Sequence, residues 1–487
     1  MFMIYPLLII SNIIIFSKSD KLIFAGIHFR HGARGPIKLG NEGKDLLGAD
    51  WSATGELTPV GQKMHYLLGL RNRQRYITEY KLLSEKFDPH ELVVYSSDLN
   101  RTLLSVTSQI QGLYPINSTN GDVLDQDQLE KAVPPVNITF DNISEVSEAQ
   151  KSLNISALPN NMTIIPIHLI DFLIDNSDEC TTKINNMRNK NDRKKESIVN
   201  FVKAFKANYS EGLEKFYQNK IVTDLNFTII AAICDATVAD HIEKKNVTEF
   251  FNKSNINQED FINSCYEALK INFRDKLFSD ENNELLLFFN SYIIEKIMHY
   301  MKQRINDDIN GDISRTNASD YSSPKMLILS GHDTTLTAQE LFFIKFFNYD
   351  LETYIFPTYA SQTVFEITRK EVDEISRKNL NYSNYTLCHY FNDELVFNMT
   401  FDIFMEKMGK INLWNKDNIN KFCYGEKPIL TTNLIIIISM GALALILIII
   451  IIILICTIKN QKDEYLIDEH DNGSNGKCCI TPDEDKY

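Results

Sequence analysis

Residues 21–29 read "KLIFAGIHF", an apolar run without the alternation of a half-exposed strand. So short a run predicts a fully buried strand, and such a strand needs a sheet covered on both faces. Directly after it, "RHGARGPI" places Arg30, His31 and Arg34 close together ahead of Gly35 and Pro36. The same order recurs. "ELVVYSS" predicts a second strand, followed by "DLNRTLLSVTSQIQGLY", where Leu103, Leu104, Val106 and Ile110 repeat at helical spacing. "KMLIL" predicts a third strand and leads into "SGHDTT". "LTPVGQKMHYLLGLRNRQRY" predicts a helix with Thr58 and Pro59 as cap and first turn. "QTVFEITRK" reads as a further strand. Strands alternating with helices in this way predict an α/β fold.

The chain has 487 residues, more than one core usually holds, so a second unit or a large insertion is expected. Residues 115–162 are rich in Asn, Asp and Ser around Pro134 and Pro135, and read as an exposed irregular segment. From Cys180 to about Tyr300 the text is mostly helical, as in "ESIVNFVKAFKANY" and "NELLLFFNSYIIEKIMHYM". The expected division is an α/β part over residues 20–130, an inserted, mainly helical cap over 131–300, and the second α/β part over 301–427.

Both ends are apolar. "MFMIYPLLIISNIIIF" with Ser17 and Ser19 behind it reads as a cleaved signal peptide, residues 1–19. Residues 434–458 carry no charge and are long enough for about 30 Å of hydrocarbon, with Lys459 and Lys462 following. The expectation is a single-pass type I membrane protein with a lumenal or extracellular body and a cytoplasmic tail over 459–487. Numerous Asn-X-Ser/Thr sequons, among them Asn137, Asn208, Asn226 and Asn398, agree with a lysosome-like or cell-surface setting. Cys180, Cys234, Cys265, Cys388 and Cys423 fall in that body, and their odd number leaves one unpaired.

A net charge of −14 argues against nucleic-acid partners. The basic cluster after the first strand is therefore a local positive site in an acidic molecule, suited to a small anion. If the three strands are neighbours, Arg30, His31, Arg34, Arg101, His332 and Asp333 converge on one pocket at their carboxyl ends. Arginines around one point repel unless an anion sits there, and their planar forks match phosphoryl oxygens.

"RHGARGP", "SSDLNRTLLS" and "GHDTT" together, with "LTPVGQKMHYLLG" and "YAS", resemble the histidine acid phosphatases of the lysosomal and prostatic type. The resemblance covers roughly residues 21–427. It implies an α/β sandwich with a central mixed sheet flanked by helices and an inserted helical cap. It implies phosphate monoester hydrolysis, with His31 as nucleophile, Asp333 as general acid, and Arg30, Arg34, Arg101 and His332 holding the phosphate. No cofactor or metal is called for, and a homodimer is kept open. The resemblance also implies a disulfide between Cys180 and Cys423; Cys234 with Cys265 is the second expected pair. The chain departs from the pattern at Ala33, where an acidic residue is common, at Gly35, and at Asn100 beside Arg101. The alternatives are a phytase or inositol-polyphosphate phosphatase, and a catalytically inactive phosphate- or phospholipid-binding membrane glycoprotein.

Overall fold

The computed structural model describes residues 20–37, 45–116, 123–132, 148, 151–170, 178–192, 196–217, 225–245, 247–278, 283–311, 323–425 and 443–459. Seven strands form one mixed sheet: β1 (Asp20–Arg30), β2 (Leu92–Ser96), β3 (His168–Leu169), β4 (Met326–Gly331), β5 (Gln362–Lys370), β6 (Tyr385–Phe391) and β7 (Glu394–Thr400). Their spatial order is β3-β2-β4-β1-β5-β6-β7. β3, β2, β4 and β1 run parallel, while β5, β6 and β7 are antiparallel additions on the β1 side.

Alternation along the strands explains why both faces are covered. Ala25, Ile27, Phe29, Val94, Met326 and Ile328 enter one apolar cluster. Phe24, Val93, Leu327 and Leu329 enter another, on the opposite face. Helix α2 (Asn100–Leu113) covers the first face through Val106, Ile110 and Leu113, and helix α1 (Pro59–Arg73) packs on α2 and reaches Phe29 through His65. They meet at Gly69 and Gly112, where an added Cβ would lie 2.0 Å from Gln109 O and 2.2 Å from Tyr66 O. The other face packs on two long helices that appear later in the chain, Glu284–Asn310 and Asp333–Phe347.

Between β3 and β4 the described chain is helical: α3 (Asp178–Asp192), α4 (Glu196–Tyr217), α5 (Phe227–Glu243), α6 (Thr248–Ser254), α7 (Gln258–Leu277) and α8 (Glu284–Asn310), followed after β4 by α9 (Asp333–Phe347). This block has an apolar core of its own around Phe205, Tyr209, Ile230, Ile233, Phe250 and Phe261. The core continues through Leu47, Trp51, Ala33, Phe356 and Tyr359 into the loops at the carboxyl end of the sheet. The helices are thereby seated over the strand ends.

Two cysteine expectations resolve differently. Cys180 and Cys423 form a disulfide. Cys234 on α5 and Cys265 on α7 do not: both are free, buried thiols. They hydrogen-bond side by side, so the helix packing has brought them together without a covalent link. Cys388, on β6, is also free and buried.

The expected single-pass anchor is corrected. Among the described residues no helix is long and apolar enough to cross a membrane. The helical stretch 443–459 is shorter than the roughly 20 apolar residues a spanning helix needs. The first part of the expected span, residues 434–442, lies outside the described residues, as do the expected signal 1–19 and the tail 460–487. Residues Met1–Cys423 and Tyr424–Tyr487 are separate compact units, and the sheet belongs to the first.

Candidate active site

Three parallel strands end at one level. Arg30 lies opposite Gly331, and Ser96 opposite Ser330. The loops that leave β1, β2 and β4 therefore open at the same edge of the sheet, which is where α/β proteins bind ligands. His31 N donates to Gly331 O at 3.1 Å and Gly32 N to Ser105 Oγ at 3.1 Å, tying the first loop to the other two segments. Gly32 has no room for a side chain: a Cβ there would stand 2.4 Å from Gly61 O at the start of α1. The motif glycine lets α1 close on the loop.

His31 is buried, at 2% exposure. Its Nδ1 lies 2.9 Å from Gly32 O. A carbonyl only accepts, so Nδ1 carries the proton and Nε2 keeps its lone pair. Burial, and then the charges of Arg30, Arg34 and His332, hold the His31 pKa well below the ordinary imidazole value. The ring therefore stays neutral in mildly acidic solution. The His332 ring stands 5.6 Å away, edge to face. Its Nε2 hydrogen-bonds Ser97 Oγ at 2.9 Å, and burial followed by Arg101 lowers its pKa to about 4.

Arg30 pairs with Asp333 at 2.7 Å and donates through Nη1 to Pro357 O at 2.8 Å. Its guanidinium lies 4.3 Å from the centre of the Tyr359 ring. Asp333 opens α9, and its Oδ1 accepts from Thr334 N at 2.8 Å. Burial alone would raise the Asp333 carboxyl, but Arg30, Arg34 and His332 outweigh it, so its pKa is lowered. Arg101, in the first turn of α2, feels burial and the charge of Arg34, which lower its pKa. Arg34 is held by Asp235 on α5, with Nη2 2.8 Å from Oδ1 and Nη1 3.2 Å from Oδ2. Nη1 also donates to Gly35 O at 2.9 Å.

The three arginines share one trait. In Arg30, Arg34 and Arg101 the Nε–H is buried and has no partner among the described residues. Buried donors are almost always satisfied. Three such donors, two of them beside a neutral histidine with a free ring nitrogen, suit the oxygens of a tetrahedral anion.

All six residues expected from the sequence thus lie around the ends of β1, β2 and β4. Asp235 and Tyr359 are the additions. Tyr359 was visible only as part of "YAS". It precedes Ala360, whose φ of +61° is left-handed for a non-glycine residue. Ala360 N donates to His31 O at 3.2 Å, so the strained turn is bound to the loop it faces. For Asp235 the one sequence signal was an acidic residue inside the apolar helix "TIIAAICDATVADHIE".

The chain is similar to known proteins over part of its length. Lysosomal acid phosphatase of Xenopus laevis is 37% identical over 100 residues, which is 20% of this chain and 22% of that protein. Human prostatic acid phosphatase is 33% identical over 98 residues, 20% of this chain and 24% of that protein. The chain therefore aligns with less than a quarter of the length of these relatives. Among solved structures, a phytase of Klebsiella shares 16% identity at a TM-score of 0.46, covering 77% of this chain and 82% of that one. A Hafnia alvei phytase bound to tartrate shares 16% at 0.47, covering 77% and 85%. The family model for the histidine phosphatase superfamily, branch 2, matches residues 44–386, a span that contains Arg101, Asp235, His332 and Asp333 and begins after the Arg30–Pro36 loop. By that match the chain belongs to the histidine phosphatase superfamily, branch 2.

Proposed function

We propose that this chain is an acid phosphatase that hydrolyses phosphate monoesters through a phosphohistidine on His31. The observation that carries this reading is the His31 ring itself, neutral, with Nδ1 held on Gly32 O and a free Nε2 among three arginines with unpartnered Nε–H groups. Nε2 attacks phosphorus and the bond to the leaving oxygen breaks. Asp333 delivers a proton to that oxygen. Water then attacks the phosphohistidine, Asp333 takes the water's proton, and phosphate leaves with His31 restored. Splitting one hard displacement into two is the gain from the covalent intermediate. Arg30, Arg34, Arg101 and neutral His332 stabilise the equatorial oxygens in both steps.

Asp333 must be protonated in the substrate complex, although the arginines keep its pKa low in the free protein. A bound phosphoryl group neutralises those same arginines. Asp333 then loses its counter-charge and its burial dominates, which favours the acid form. In this reading residues 20–130 and 301–427 form the phosphatase domain and 131–300 the cap, a division supported by the helical block's own apolar core.

The test is hydrolysis of p-nitrophenyl phosphate by the full chain from pH 4 to 8, beside His31→Ala. Activity with an acidic optimum is expected, falling by about three orders of magnitude or more in His31→Ala. An acid-labile, base-stable phosphoryl label should form on wild type only. A folded wild type that binds phosphate without turnover would favour the inactive binding protein instead.

A further inference from the structure

We infer that Asp235 is a positioning residue that turns Arg34 side-on to the bound phosphate and weakens the cradle's hold on it. This rests on the phosphatase reading of the same site. Asp235 comes from α5 in the helical block, 201 positions away from Arg34 in sequence. Its two oxygens take both Nη groups of Arg34, and Oδ2 also accepts from Ile37 N at 2.9 Å. Gly35 O takes a further Nη1 bond. Three of the four Nη–H groups are thereby committed, and the Nε–H has no partner among the described residues.

Two consequences follow from the geometry. Arg34 therefore presents Nε–H and the remaining Nη2–H side-on to a phosphate, rather than its two Nη groups end-on. A carboxylate also stands just behind the guanidinium and offsets its charge. Arg34 is 3% and Asp235 19% exposed at the side chain, so water screens this pair only partly. In the free protein Asp333 on Arg30 and Asp235 on Arg34 set two carboxylates against three guanidiniums, and once an anion is bound and Asp333 is protonated, the Asp235 charge remains. That balance admits an anion without retaining it. Release of the product phosphate is helped by the same contact that orients Arg34 for attack. Ala33 contributes no carboxylate from the motif itself, so the charge comes from the cap helix.

The experiment is calorimetric titration of inorganic phosphate into the full-length wild type and Asp235→Asn, with kcat and KM for p-nitrophenyl phosphate on the same preparations. Loss of a partly buried charge beside the anion should tighten phosphate binding about tenfold. KM and kcat should fall together, as the product leaves more slowly. Asp235→Glu keeps the charge and displaces the fork. It should bind phosphate within about twofold of wild type while kcat drops. If Asp235→Asn does not fold, this second variant carries the test. Phosphate affinity that is unchanged or weaker in a folded Asp235→Asn overturns the inference, since a merely structural clamp would lower activity without tightening the anion. Wild type that binds phosphate but does not turn over leaves the calorimetric arm intact and overturns only the phosphatase reading. Wild type that binds no phosphate overturns both.

Discussion

At the residue scale, the proposed phosphatase reading requires two neighbouring groups to hold different protonation states. In that reading His31 attacks unprotonated, and its pKa sits well below the usual value because burial and then Arg30 and Arg34 oppose a further positive charge. Lowering the pH through 6.5 therefore should not switch the nucleophile off. In the same reading Asp333 is protonated to serve the leaving group, and the bound phosphoryl group would release it from Arg30. The alkaline limb of kcat should thus lie well above the titration of Asp333 in the free protein. In Asp333→Asn that limb should flatten, with kcat about 10²–10⁴-fold lower for alkyl phosphates. The loss should shrink for p-nitrophenyl phosphate, whose leaving group needs little help. An equal loss on both substrates would remove Asp333 from proton transfer. The strand-end loops were legible because each packs its chemistry into a few consecutive residues. Asp235 was not, because nothing near it in sequence records that α5 reaches Arg34.

At the element scale, α5 connects the helical block to the loops at the strand ends at more than one point. Asp240, five residues beyond Asp235, accepts from Trp51 Nε1 at 3.0 Å, and Trp51 Nε1 also donates to Asp45 at 3.2 Å. Burial first, then the hydrogen bond and charge of Asp45, raise the Asp240 pKa to about 8; Trp51 and Lys245 pull the other way. Below that pH Asp240 holds a proton. The folded state holds this proton where the unfolded chain would release it. The contribution to stability therefore declines as pH rises from the ordinary carboxyl range toward about 8. Trp51 emission should titrate near pH 8, and Asp240→Asn should abolish that step while leaving emission from Trp414. A titration that persists in the variant would place the proton elsewhere. The same helix shows why the second disulfide expectation failed. Helix packing sets Cys234 against Cys265 as a hydrogen-bonded pair in a dry core, whereas sequence spacing shows only that both exist.

At the scale of the whole molecule, burying histidines carries a pH signature. His28, His65 and His332 each have pKa values lowered to about 4, chiefly by burial, and that of His31 is likewise held well below the ordinary value. Between about 6.5 and 4 the unfolded chain binds more protons than the folded one, so stability rises with pH and is lost as pH falls through that window. Asp240 opposes this in part, being protonated when folded. The melting temperature of the ligand-free protein should fall from pH 6.5 to 4, as read by scanning calorimetry. Inorganic phosphate should restore part of it, because it binds only the folded cradle. A melting temperature flat across the window would show that these rings are not buried neutral. From its apolar runs alone, the chain determined a doubly covered sheet and three strand ends carrying arginine, histidine and aspartate, since strand burial and loop chemistry are local properties. Tertiary structure decided that the three strands are neighbours, that Asp235 rather than a motif residue balances Arg34, and that two thiols meet unbonded. Each of those depends on which distant segments pack together, and packing is settled by the shapes and buried areas of whole elements, which no local stretch contains.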